Sequence, residues 1–210
     1  MRGLFRALFE LVVPSVCASC DSPRDEGESL LCDFCARSVR RCERLRAVHT
    51  AIAYEGIGLE LVKRMKFEHR ADARLVLGAL LAERVRGLPF DVIVPLPRHR
   101  ARIRGEGCDP VHSLAKQLAR DTRKRLDAHS LKRARLTPPQ TGLSIAARRA
   151  NVAGSFAVES LALRGARVLL LDDVSTTGAT LAEAARTLRR ESGAKRITLA
   201  AVAGTPASVL

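Results

Sequence analysis

The sequence predicts an α/β domain, a parallel sheet with helices on both faces, preceded by a small cysteine module. Two observations predict it. Short apolar runs alternate with stretches of helical periodicity, the pattern that gives parallel strands joined by helices. Five of the six cysteines are clustered near the N-terminus, four of them in two Cys-x-x-Cys pairs. We divide the 210-residue chain into residues 1–45, an amphipathic helix and metal module, and residues 46–210, the α/β domain.

At the front, Phe5, Leu8, Phe9 and Val12 fall at helical spacing and Glu10 interrupts the apolar run. This reads as a short amphipathic helix ended before Pro14 rather than as a signal peptide. A lipoprotein-type signal ending near Cys17 is the lesser alternative. Cys17-Ala-Ser-Cys20 and Cys32-Asp-Phe-Cys35 follow, separated by a Gly/Asp/Glu/Ser-rich loop. Each pair lets two thiolates converge on one metal, and two pairs complete a tetrahedron that suits zinc. Four ligands close such a site, so a zinc there is structural. Two disulfides in a secreted protein are the competing use of these thiols, and no convincing secretory signal supports it. Thiols kept reduced for zinc point to the cytoplasm.

Beyond the module, Thr50–Tyr54 reads as a strand. Leu59–Met65 begins a helix with Leu59, Leu61, Val62 and Met65 on one face, and Ala71–Arg86 is a second helix. Asp91–Pro95 has the β-branched look of a buried parallel strand. Pro97–Pro110 reads as a basic loop, and Val111–Leu126 as a helix. A strongly basic stretch follows, with Pro138-Pro139-Gln140-Thr141-Gly142 excluding regular structure inside it. Arg167–Leu171 is a strand, Ala179–Glu191 a helix with Gly193 as its cap, and Arg196–Val202 the last strand.

Composition sets the bounds. Aromatics are 3% and Trp is absent, so the core is Leu, Val and Ala. The net charge of +14 favours polyanionic partners, although a solvated arginine-rich surface accounts for it equally well. No apolar run reaches the length that spans a bilayer.

The most informative stretch is VLLLDDVSTTGAT, Val168–Thr180. On a strand–turn–helix frame, Ser175-Thr176-Thr177-Gly178 sits at a helix N-terminus, where free N–H groups and the helix dipole favour an anion. The Thr hydroxyls add donors and Gly178 permits close approach. The lysine of a nucleotide P-loop is missing. Asp172 and Asp173 would repel a phosphate, so they must face donors such as sugar hydroxyls, directly or through Mg²⁺. A ribose 5-phosphate satisfies both halves. The alternative is an ordinary capped helix, with Asp173 or Ser175 as N-cap.

This motif resembles the phosphoribosyl-pyrophosphate (PRPP) signature of type I phosphoribosyltransferases. The wider chain resembles the ComF family, which joins a zinc-binding N-terminus to such a domain. The Cys pairs, Lys66-Phe67, Val94-Pro95-Leu96-Pro97 and Gln140…Leu143-Ser144…Arg148-Arg149-Ala150-Asn151-Val152-Ala153-Gly154-Ser155-Phe156 carry that likeness. The resemblance implies a type I phosphoribosyltransferase-like sheet with a Cys17, Cys20, Cys32, Cys35 zinc site. It implies that Asp172 and Asp173 hold the ribose and that Ser175, Thr176, Thr177, Gly178 and Thr180 hold the 5-phosphate. Leu96, Pro97 and Arg98 would form the pyrophosphate loop. Lys132, Arg133 and Arg135 would lie on a flexible loop supplying catalytic cations as pyrophosphate leaves. The implied activity is Mg²⁺-dependent phosphoribosyl transfer (a pentosyl, glycosyltransferase-type reaction) to an unidentified acceptor. A non-catalytic PRPP sensor is the alternative, and single-stranded DNA or competence machinery the implied partner.

The chain departs from these relatives in three places. Glu106-Gly107-Cys108-Asp109-Pro110 stands where an Arg-Gly-aromatic-Asn stretch is usual. Only Cys42 stands for a further Cys pair, which implies one zinc rather than two. Thr176 replaces an Asp that contacts the base in purine-salvage members, which weakens that assignment.

Overall fold

The computed structural model describes residues 16–24, 29–42, 44–45, 47–98, 109–135 and 145–205. The amphipathic segment before Val16, Cys108 and the Gln140–Ser144 stretch lie outside the described residues. After helix α1 (Asp33–Ser38), strand β1 (Arg44–Leu45) runs antiparallel to β2 (Val48–Ala53). Helices α2 (Gly56–Phe67) and α3 (Ala71–Val85) lead to β3 (Val92–Pro95), and α4 (Pro110–Thr122) to β4 (Arg125–Leu126). A separate pair, β5 (Leu131–Arg133) and β6 (Phe156–Val158), flanks α5 (Ile145–Val152). Then come β7 (Arg167–Ser175), α6 (Ala179–Glu191) and β8 (Arg196–Gly204).

The main sheet has the order β1-β2-β8-β7-β3-β4 and is parallel from β2 onward. Alternation along β7 divides the core. Leu169 and Leu171 face a cluster with α2, α3 and α4, whereas Val168 and Leu170 face α6. Each of these side chains is therefore covered on its own face, which is why Val168 to Leu171 is apolar without interruption. Among the described residues, no helix is long and apolar enough to cross a membrane.

Four differences from the expected elements have physical reasons. Strand β7 does not stop at Leu171. Its ladder continues through Asp172↔Ala201, Val174↔Ala203 and Ser175↔Gly204, because β8 runs on beside it to Gly204 and pairs its backbone groups. The helix predicted to reach Leu126 ends at Thr122, where Arg123 turns into the left-handed region (φ 53) and donates back to Arg120 O. Arg125 and Leu126 then pair with the free edge of β3. The basic segment expected as a loop is strand β5 over Lys132 and Arg133, in register with Ala157 and Phe156.

The fourth concerns the cysteine module, which shares the main core. Cys17, Ala18, Leu31 and Cys35 belong to the same buried cluster as Leu61, Met65 and Leu77. Backbone bonds Ala53 N→Arg40 O (2.8 Å) and Cys42 N→Ala51 O (3.3 Å) stitch its trailing segment to β2.

Since Leu170 is fully buried against α6, Leu170→Ala is expected to lower the unfolding free energy by about 2–5 kcal/mol, read as a lower urea midpoint at constant slope.

Candidate functional site

The carboxyl ends of β3 and β7 meet at one cavity of about 300 Å³. A backbone bond from Leu96 N to Leu171 O (2.7 Å) locks the two strand ends together. The lining includes Leu96, Pro97 and Arg98 from the first end, and Asp172, Asp173 and Ser175 to Thr180 from the second. The structure thus brings together all ten residues assigned to the sugar phosphate and pyrophosphate loop.

The turn brings a helix N-terminus and hydroxyl side chains to the cavity wall. Gly178 adopts the left-handed conformation (φ 73) and stands as N-cap of α6 without a side-chain cap. Neither Asp173 nor Ser175 is the N-cap of the helix. Thr177 Oγ1 lies 3.4 Å from Ala179 N. Ser175 is 4% exposed, and its hydroxyl oxygen is buried without a protein partner. A buried polar atom left unpaired costs about 1–3 kcal/mol, and this one belongs to a residue on the cavity wall.

The acidic pair carries its own counter-ion. Lys66 Nζ, from the last turn of α2, lies 2.9 Å from Asp173 Oδ1. Burial works against the Lys66 charge, but Asp173, its hydrogen bond and Asp172 outweigh it, and the ammonium is held above its ordinary pKa. Asp172 opens partly to the cavity but is crowded by protein. Burial first and the Asp173 charge second push its carboxyl up to about 7. The two acids also fold onto the backbone, with Asp173 N→Asp172 Oδ1 at 2.8 Å and Val174 N→Asp173 Oδ1 at 2.6 Å. Lys66 was legible only as part of a family likeness. Nothing local to it signals a partner over one hundred residues away.

A larger hollow of about 530 Å³ adjoins this cavity and shares Leu96, Pro97, Arg98 and Arg133 with it. Asp109 and His112 at the start of α4, with His129, Lys132 and Glu159, complete its polar wall. Asp109 caps α4, accepting Val111 N (2.9 Å) and His112 N (3.2 Å). The three basic residues assigned to catalysis separate here. Arg133 reaches both hollows and stacks over Phe156, 5.4 Å from the ring centroid. Lys132 lines the larger hollow alone. Arg135 lines neither and bonds the carbonyls of Asn151 (3.3 Å) and Ala153 (2.8 Å).

The cysteine site is a second centre, on the opposite face of α2. The Sγ atoms of Cys17, Cys20, Cys32 and Cys35 lie within 4.8 Å of one another. Zinc–sulfur bonds of about 2.3 Å place tetrahedral sulfurs roughly 3.8 Å apart, and Cys20 Sγ and Cys32 Sγ are separated by 3.8 Å. Ser19 N–H and Cys32 N–H point at Cys17 Sγ from 3.5 and 3.4 Å, the amide support that a metal-bound thiolate takes. The described cysteines are free rather than bridged. The donor set fits zinc, and Cys42 stands apart from it, with its sulfur 3.3 Å from Thr50 Oγ1.

Two outcomes follow. Elemental analysis of the purified chain should give about one zinc per chain, and chelation should lower the melting temperature. A zinc-free chain with an unchanged melting curve would remove the metal assignment. For Asp172, a native pKa of about 7 stands above an unfolded value of about 4. The native state therefore binds the extra proton, and stability is lost as pH rises between those values. Asp172→Asn should raise the melting temperature near pH 8, with the gain vanishing near pH 4. Equal melting at both pH values contradicts the raised pKa.

Comparison with known proteins agrees with this geometry. Residues 103–210, just over half of the chain, match the phosphoribosyl transferase domain family. The chain is 31% identical to DNA utilization protein YhgH of Salmonella typhi, across 88% of this chain and 95% of that one. It is 29% identical to the protein of the same name from Escherichia coli O6:H1 over the same shares. Competence protein F of Haemophilus influenzae is 36% identical across 62% of this chain and 61% of its own. With a phosphoribosyl transferase domain, a four-cysteine cluster in front of it and relatives along nearly its full length, the chain belongs to the competence protein F-like family.

Proposed function

We propose that the chain binds PRPP with Mg²⁺ and transfers its phosphoribosyl group to an acceptor, in a role connected with DNA use. The observation that carries this reading is the cradle of Ser175–Thr180, with its unpartnered buried hydroxyl, directly beyond an acidic pair. The 5-phosphate sits on the N-terminus of α6, and Asp172 and Asp173 take the ribose hydroxyls. Bound Mg²⁺ would neutralise charge on the pyrophosphate and share the acidic pair with the sugar.

The reaction breaks the bond between C1 and the pyrophosphate oxygen and forms one from C1 to the acceptor, which gives up a proton. Arg98 and Arg133 stand on the wall common to both hollows, where cations stabilise pyrophosphate as its charge develops. The larger hollow leaves room beside the sugar for a second reactant. The names of the relatives and the net charge of +14 support single-stranded DNA or a competence-machinery protein as the wider partner. Four reduced thiols suit a cytoplasmic location.

Calorimetric titration with PRPP and Mg²⁺ tests the reading. The wild-type chain should bind, and Asp172→Asn with Asp173→Asn should weaken binding by about 10–100-fold, the loss expected for charge-assisted hydrogen bonds. No heat from the wild type would remove the ligand assignment. Pyrophosphate release across a panel of bases separates transfer from ligand sensing, which gives binding alone.

A further inference from the structure

Two sets of ion pairs, one at each centre, are joined through the backbone turn at the end of α2. Asp21 follows Cys20 of the first cysteine pair and holds the left-handed conformation (φ 58), with its N–H donating to Cys17 O at 3.1 Å. Its carboxylate is clamped from two sides. Arg64 Nη1 lies 2.6 Å from Oδ2, an ionic contact made off the hydrogen-bond direction, and Arg70 Nη1 bonds Oδ1 at 2.5 Å. Both arginines are tethered further, Arg64 to Glu60 (3.1 Å) and Arg70 to both oxygens of Asp72 (3.1 and 2.6 Å).

These two arginines bracket Lys66. Arg64 O accepts the N–H groups of Glu68 (3.2 Å) and Arg70 (3.1 Å), which closes residues 64–70 into a compact turn at the end of α2. Lys66 leaves that turn on the other side and reaches Asp173 Oδ1 at 2.9 Å. Its side chain is one quarter exposed and lines the candidate ligand cavity.

We infer that Lys66 is a binding residue of the phosphoribosyl site and that Asp21, in the cysteine module, is the positioning residue that holds it there. This rests on the proposed ligand. The cysteine module then has a task at the ligand site: its folded knuckle fixes Asp21, Asp21 fixes the turn, and the turn delivers a cation to the acidic pair. That cation offsets the mutual repulsion of Asp172 and Asp173 before ligand arrives, and it stands ready for a phosphate oxygen once Mg²⁺ and ribose take the carboxylates.

A double-mutant cycle on the full-length, metal-loaded chain tests it, with PRPP and Mg²⁺ titrated by calorimetry. Asn tolerates the left-handed conformation, so Asp21→Asn removes the clamp with least disturbance of the knuckle. Asp21→Asn and Lys66→Met should each weaken binding about tenfold, the range of a coupling between sites. The double variant should bind within about twofold of Lys66→Met alone, because both changes act through one contact. Hydrogen exchange at the end of α2 should quicken in Asp21→Asn before any ligand is added. Wild-type affinity in Asp21→Asn overturns the inference while leaving the ligand assignment intact, as do losses that simply add in the double variant. A wild-type chain that does not bind PRPP overturns both. Should Asp21→Asn lose its metal or its fold, Arg70→Gln opens the same clamp from the helix side, and unchanged affinity there is equally fatal.

Discussion

Two carboxylates on consecutive residues at the end of the central strand are the constraint to which the surroundings answer. The Asp173 charge opposes ionisation of Asp172, and burial does so more strongly. A chain selected for stability alone would not place them there. The structure answers with Lys66 from α2 and with two backbone N–H groups of β7 itself. Everything that holds α2 against the sheet then bears on the site. Leu61, Val62 and Met65 do this by burial, and Arg64 and Arg70 do it by charge.

This changes how the cysteine module is understood. A four-sulfur site with its ligands complete has no place for substrate, so its role is mechanical. In this chain it does more than cap a terminus. Cys17 and Cys35 are in the main core, and the segment after the module is bonded to β2. A cut at residue 45 would pass through shared packing rather than through a linker. The module and the first layer of helices form one body, and the ligand cavity opens at its far edge.

The parts legible in the sequence are those governed by local pattern. Helix α6 was readable to the residue because Gly178 and the apolar spacing mark its start and Gly193 its end. The turn before α6 was readable because Ser175–Gly178 is contiguous and ends in a glycine at positive φ. The two cysteine pairs were readable from spacing. What escaped depends on partners distant along the chain. Strand β5 exists because residues 131–133 meet residues 156–158, and a run of Leu-Lys-Arg carries no strand signature of its own. Strand β4 likewise exists because β3 has a free edge. The extension of β7 through its acidic pair needs β8 beside it as far as Gly204. The Asp21–Arg64–Arg70 clamp and the Lys66–Asp173 pair join residues 43 to 107 positions apart, beyond the reach of any periodicity.

The order of charges along the cavity sets how a ligand with phosphate at both ends would lie. The Ser175–Thr180 end offers hydroxyls and a helix terminus, and Val174 to Leu181 contains no Lys or Arg. Such a cradle suits one compact phosphate. The middle carries Asp172 and Asp173 with Lys66 as their counter-ion, and a carboxylate there disfavours a phosphate placed against it. The far wall carries Arg98 and Arg133 beside the larger hollow. A more highly charged pyrophosphate is better neutralised on that wall than in the cradle, and the acidic middle prevents the ligand from sliding between the two. Lys66 lines the same cavity and pairs with Asp173, so it sets the charge balance of the acidic pair.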